Sequence, residues 1–345
     1  MAEYISFQPS DFFNTVLYTG NNTDDRALTG VGFAPDFGWF KERSGTDYHY
    51  LVNTVMGANH AQYSNTAAAD DTSVNAVKAF GADGYTLGVN TGVNENLSTY
   101  VNWNWKMGTT SGISGGTITP SSYSINTTAK QGIYKWSGTS TNGTIAHGLG
   151  ATPQMFLVKQ TNGTAGWQVY HQGMGPTEVM YLNSNAVPDT SSTVWNDTAP
   201  TSTLLSLGTN AGTNTTGNTY IGYAFCNVSG YSHCGTYNGN GNADGTFVYL
   251  PFKPGFILIK RQNGGAAPWC IFDSKRLGYN RQNKLLVADT DAAETTPSFD
   301  IFSNGFKPLT TDGEWNGDGS DNNYIYLAFA DKPLVSSNDI PTVAT

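Results

Sequence analysis

The residues best able to do chemistry in this chain are few and scattered. Five histidines, His49, His60, His147, His171 and His233, fall at no spacing typical of a zinc site. No phosphate-binding loop occurs. Carboxylates are sparse, and no pair stands out as the acid and nucleophile of a glycosidase. The expectation is a protein that is not an enzyme. One stretch does concentrate acidic side chains, Asp312-Gly-Glu-Trp-Asn-Gly-Asp318-Gly-Ser-Asp321. Its carboxylate and carbonyl oxygens suit calcium, although the order of an EF-hand and its terminal Glu are missing. Within it Trp315 stands among Asp312, Asn316, Asp318 and Asp321, a ring flanked by acceptors that could stack on a sugar and hold its hydroxyls. The competing reading is a solvated hairpin loop whose Trp packs on its own module. No other cofactor is expected.

Aromatic side chains elsewhere pose the same choice. Tyr18, Trp136 and Tyr237 each stand two residues before a glycine, at Gly20, Gly138 and Gly239. A ring can stack on a sugar face, but a position that recurs favours a shared packing role. Trp167 and Trp269 also correspond and read as core. The three cysteines, Cys226, Cys234 and Cys270, fit no metal motif. Cys226 and Cys234 could meet across a turn. The plainer reading is small, reduced, apolar side chains in strands.

The elements that hold these residues follow a pattern written three times. Pro35, Pro153 and Pro254 each precede a lysine by six residues, at Lys41, Lys159 and Lys260, and a glycine follows each lysine by four. A second shared run begins at Tyr100, Tyr220 and Tyr324. The first runs are apolar on both faces, as in a strand covered on both sides. The second alternate, with Val101, Trp103 and Trp105 on one face, and predict a half-buried strand. Eleven Asn-Gly or Asp-Gly pairs punctuate the chain, and both residue types accept the positive φ of tight hairpin turns. Helical period is weak, and Ser73 to Phe80 is its best candidate. The fold class is therefore all-β, with three tandem antiparallel β-sandwich modules of jelly-roll type. They divide the chain into an N-terminal arm (1–15), a first module (16–108), a linker or pair of edge strands (109–132), a second module (133–228), a third (229–333) and a tail (334–345). What all copies share builds the fold, and what differs is free to recognise something.

Composition narrows the partners. Charged residues make up 12% of the 345 and the net charge is −9. No basic cluster offers a phosphate-binding surface, so nucleic acid is not expected. No apolar run approaches the length of a membrane span, and the first residues do not read as a signal peptide. The arm carries Phe7, Phe12 and Phe13, too short to fold alone, and could dock on its own first module or on another protein.

From Gly230 to Tyr249, through Pro254 to Arg261, Ser303 to Phe306 and Tyr324 to Pro333, the chain resembles a family of repeat-bearing tailed-bacteriophage proteins. These carry a domain of unknown function and are labelled virion structural or tail-fibre proteins. Thr29 to Arg43 and Tyr100 to Gly108 are similar to the family's first module. The second copy departs most, with Ala151-Thr-Pro where the others have Phe-x-Pro. The resemblance implies a non-enzymatic fibre, spike or capsid-decorating protein on the virion surface, assembled in the host cytoplasm, where thiols stay reduced. It implies other virion proteins of capsid or tail as partners, attachment through Phe7, Phe12 and Phe13, and a homo-oligomer, with a trimer favoured. A carbohydrate-binding adhesin for a host surface glycan is the alternative, and a polysaccharide depolymerase a distant one. No catalytic residue carries over.

Overall fold

The runs after Pro35, Pro153 and Pro254 form the strands Phe37–Glu42, Pro153–Gln160 and Phe252–Arg261 in a computed structural model that describes residues 7–72, 75–276, 284–318 and 323–333. Each lies inside a large sheet. On one side it pairs with the second shared run, Thr99–Trp105, Thr219–Cys226 or Asn323–Pro333. On the other it pairs with a four-residue strand, Tyr50–Asn53, Gln168–His171 or Cys270–Asp273. The strands Phe13–Thr19, Gln131–Ser137 and Ser232–Asn238 follow beyond the second run, and Gln62–Tyr63, Glu178–Tyr181 and Leu286–Val287 beyond the short one. The second sheet gains two edge strands, Ser122–Asn126 and Asp189–Thr190, so part of the 109–132 segment is an edge strand. Register sets Trp39 opposite Trp103, Leu157 opposite Tyr223 and Leu258 opposite Leu327, all antiparallel.

A smaller antiparallel sheet covers one face of each large one. The first comprises Arg26–Leu28, Gly84–Leu87 and Val77–Gly81, the second Gly143–Ala146 and Leu204–Leu207, the third Val248–Tyr249, Gly305–Pro308 and Phe299–Phe302. Gly84 and Gly305 close the hairpins at φ near +145°, and a Cβ on either would meet the Leu28 or Val248 carbonyl oxygen at 2.0 Å. Only glycine fits that corner. The segment 73–80 is not a helix where it is described: Val77–Gly81 is a strand hydrogen-bonded to Gly84–Leu87. A two-turn period is too weak to outweigh a strand ladder.

The opposite faces of the three large sheets meet in one hydrophobic core, which takes Trp103 and Trp105, Tyr223 and Phe225, and Leu327 and Phe329 from the three central strands. Those strands are therefore covered on both faces, not half-buried: Tyr100, Asn102 and Asn104 are as inaccessible as Val101 and Trp103. The expected N-terminal arm also belongs here. Phe13 opens the first strand and stacks on Phe329 at 5.3 Å, while Phe7 and Phe12 pack edge-on to each other and to Tyr231.

Side-chain hydrogen bonds link the sheets in a circuit. Trp167 Nε1 of the second sheet donates to the Tyr63 carbonyl of the first at 2.9 Å, and Trp269 Nε1 of the third to the Tyr181 carbonyl of the second at 2.9 Å. The matching position in the first sheet holds His49. Its Nδ1 accepts from Trp39 Nε1, so its Nε2 carries the proton and donates to the Val287 carbonyl of the third sheet at 3.0 Å. The three carbonyls share one register, opposite Tyr50, Gln168 and Cys270. A second set of bonds spans the same three seams from the far ends of the short strands: Asn53 Nδ2 donates to Tyr223 Oη at 2.9 Å, His171 Nε2 to the Tyr326 carbonyl at 3.2 Å, and Asp273 Oδ2 accepts from Trp103 Nε1 at 3.1 Å. Backbone bonds from Asp70 to Thr161 and from Glu294 to Arg43 repeat at two seams. At the third the corresponding residue is Pro188, which has no N–H to give.

Candidate functional site

The polar side chains that recur in the sequence are the natural place to look for a site. The Tyr100, Tyr220 and Tyr324 hydroxyls accept from the N–H groups of Glu95, Thr215 and Gly317 and donate to the carbonyls of Thr91, Ala211 and Gly313. Asn94, Asn214 and Asn316 are wholly buried. Their amides donate to the carbonyl pairs Thr23 and Gly88, Thr141 and Gly208, and Asn242 and Thr310. Tyr18, Trp136 and Tyr237 stack on the three tyrosines at 5.0, 5.6 and 4.8 Å. Each also donates to the carbonyl just before the asparagine, at Val93, Thr213 and Trp315. These rings serve packing, and their partners are backbone. The asparagines escaped sequence reasoning because they precede the tyrosine by six, six and eight residues.

The lysines are inside as well. Lys41 Nζ donates to the carbonyls of Glu42 and Gly45, Lys159 Nζ to those of Gln160 and Ala67, and Lys260 Nζ to that of Ala267. All three are fully inaccessible, and desolvation lowers each ammonium to a pKa of about 8.

The Asp312 loop proves to be the third-sheet counterpart of the Thr91–Asn94 turn, held by the same tyrosine and asparagine bonds. Trp315 is 4% exposed and sits edge-on to Phe272 at 6.0 Å. The expected sugar platform is therefore turned into its own module, because the loop is pinned through Asn316 and through Arg261 to the Gly313 carbonyl. Asp312 is committed to its own turn, its Oδ1 accepting from the Glu314 N–H at 2.9 Å. Asp318 is exposed, and Asp321 lies outside the described residues.

Among the described residues, the carboxylates that do converge are Glu42, Asp47 and Glu95, whose oxygens lie within 4.8 Å of one another. With Gly45, Thr46 and Thr91 they line an open concavity of about 380 Å³. Glu42 is buried and takes a 3.0 Å bond from Ser44 Oγ. Desolvation, with Glu42 and Glu95 nearby, raises the Asp47 carboxyl, and a Thr91 hydrogen bond opposes the rise. Such a set can take one hard cation or share a proton. It belongs to one copy: the residue after the shared lysine is Glu42, Gln160 or Arg261, the one signal that sequence held for it.

Several other ionisable groups are tied into the seams or buried beside them. At the junction of third and first sheets, Arg276 and Asp273 form a fully buried ion pair, and Glu294 joins Arg43 to Arg276. His147 and His171 each accept a backbone N–H on Nδ1 and donate from Nε2 to a carbonyl. Burial keeps both neutral, His171 with a pKa down to about 4. His60 pairs with Asp70, and His233 with the Tyr326 hydroxyl. The three cysteines are free and buried, and burial pushes the Cys226 thiol up to about 12. Among the described residues, no helix is long and apolar enough to cross a membrane.

No curated protein matches the chain. A family model described as a domain of unknown function, DUF7483, matches residues 8–333. The matched span runs from the turn at Pro9 to the end of the last strand and takes in all three large sheets. The chain therefore belongs to the DUF7483 family.

Proposed function

We propose that the protein is a non-enzymatic structural component of a tailed-phage particle, a rigid body of three tandem β-sandwich modules carried at the particle surface as a fibre, spike or capsid decoration. The observation that carries the structural role is the double set of hydrogen bonds from Trp167, Trp269 and His49 and from Asn53, His171 and Trp103. The recurring tyrosine, asparagine and lysine side chains are spent on backbone carbonyls in the same way. The particle itself is implied by the resemblance of the third module and of Thr29 to Arg43 to phage proteins. The common core is filled within one chain, so copies assemble through the symmetry of the particle and not to complete a fold.

The test is mass spectrometry of density-purified particles from cells carrying the gene. The chain should band with the particles at a fixed copy number. A chain left in the soluble lysate while intact particles form would overturn the reading.

A further inference from the structure

Three large aromatic side chains in the described chain are exposed: Tyr48, Phe247 and Tyr249. Tyr249 stands on the strand Val248–Tyr249 of the third small sheet and Phe247 just before it, 58% and 45% exposed. Val248 and Leu250 between and beyond them are buried, so strand alternation puts Phe247 and Tyr249 on the outward face. Pairing sets Tyr249 opposite Gly305 and Gly305 opposite Phe302, with Asp300 opposite Lys307 in the next row. Phe302 is half-buried and meets Phe247 edge-on at 5.6 Å across the bare glycine. Three rings thus lie on one outward face. Asp300 and Lys307 border it, and Lys307 pairs with Asp244.

The same face of the first small sheet is unlike it. Gly84 matches Gly305 in conformation and contact, which fixes the correspondence. Ala27 and Thr29 then stand where Phe247 and Tyr249 are, and Gly81 and Ala79 where Phe302 and Asp300 are. The fold does not need rings here. They are a property of one copy, and they leave apolar area in water that small residues would remove. One polar atom at the patch is also uncommitted: no described residue bonds the hydroxyl of the exposed Tyr249.

We propose that this face is a carbohydrate-binding platform for a neutral glycan of pyranose units. The flat C–H face of a pyranose fits an aromatic ring in area and polarity, and its edge hydroxyls supply a partner for the Tyr249 hydroxyl. A protein partner is disfavoured by size: a stable interface takes about 800 Å² per side, and a fully buried aromatic side chain supplies about 150–250 Å². Three partly covered rings fall well short of that. The platform is distinct from the Trp315 loop and does not rest on the particle reading, because a particle protein that binds no sugar would sink this site alone.

The experiment is binding of the whole chain to an array of neutral bacterial polysaccharides, with cellohexaose and chitohexaose as soluble probes titrated by calorimetry. Retention on at least one neutral glycan is expected. Tyr249→Ala and Phe247→Ala should each weaken it at least tenfold with an unchanged unfolding midpoint, because both rings are exposed. Trp315→Phe, a change in the core, should leave affinity within twofold. No retention on any neutral glycan would overturn the proposal, as would binding indifferent to Phe247 and Tyr249. Phosphatidylcholine vesicles and self-association are measured alongside, and loss of either in the Tyr249→Ala protein without glycan binding would assign the patch to that partner instead.

Discussion

Asn214 makes two donor bonds and takes one backbone N–H, all inside the protein. Alanine there leaves two carbonyls and an amide without partners, and the cost of each buried orphan makes Asn214→Ala about 2–4 kcal/mol less stable. Asn142 also bonds a side chain, Asn196, but at the surface, and Asn142→Ala should stay within about 0.5 kcal/mol. Urea titrations of the two variants check the contrast. The buried lysines give a signed pH effect. Their folded pKa of about 8 lies below the unfolded value near 10.4. Between those limits the unfolded chain binds more protons, so the lysine contribution makes stability climb as pH rises from about 8 towards 10. Buried tyrosines such as Tyr223 and Tyr326 are shifted upward by desolvation and work oppositely: their contribution is present below about 10 and lost above it. Stability should therefore peak near pH 10, and Lys159→Met should flatten the rise. A flat profile for the parent chain from pH 7.5 to 10 would contradict the burial of all three ammonium groups.

At the scale of elements, the seams should respond alike where they are built alike. Trp167→Phe and Trp269→Phe each remove one indole donor and strand one carbonyl, and each should cost about 1–3 kcal/mol. The seam between third and first sheets differs, since Arg276 faces Asp273 with both side chains wholly inaccessible. Arg276→Met removes the guanidinium beside that buried carboxylate and should cost about 3–5 kcal/mol. Denaturant midpoints at constant slope would rank the three. Much of this element level was legible in the sequence. The Pro-to-Lys spacing located the strands of Lys41, Lys159 and Lys260, and their two-sided apolarity foretold burial. The alternation in the Tyr100, Tyr220 and Tyr324 runs misled, because Asn102 and Asn104 are polar yet buried, and Ala224 and Ala328 at the matching position are buried as well. Lysines ordinarily stay at the surface, so their burial left no sign. The Glu42, Asp47 and Glu95 concavity brings Glu95 to a pair distant from it in sequence, and nothing in the sequence set Phe247 and Tyr249 apart as exposed. Trp315 misled because a Trp among acceptors reads the same whether its ring points in or out.

At the scale of the whole molecule, the core shared by Trp105, Phe225 and Phe329 makes the three sheets depend on one another. A segment cut from the chain, such as 133–228, would show water the face that carries Tyr223 and Phe225, and should not unfold cooperatively when isolated. The N-terminal residues share that dependence: deleting residues up to Asn14 removes Phe7, Phe12 and Phe13 from the core, and should destabilise the body by more than one buried aromatic, about 3–5 kcal/mol. A sedimentation and thermal-melt comparison of the shortened and full chains checks it. The central claim, one core common to three sheets, is tested most directly by native-state hydrogen exchange of the full chain, read at the strands Thr99–Trp105, Thr219–Cys226 and Asn323–Pro333. The account predicts that the slowest amides of all three open with the same free energy, within about 1 kcal/mol, because they open together. One of these strands exchanging several kcal/mol more readily than the other two would contradict it.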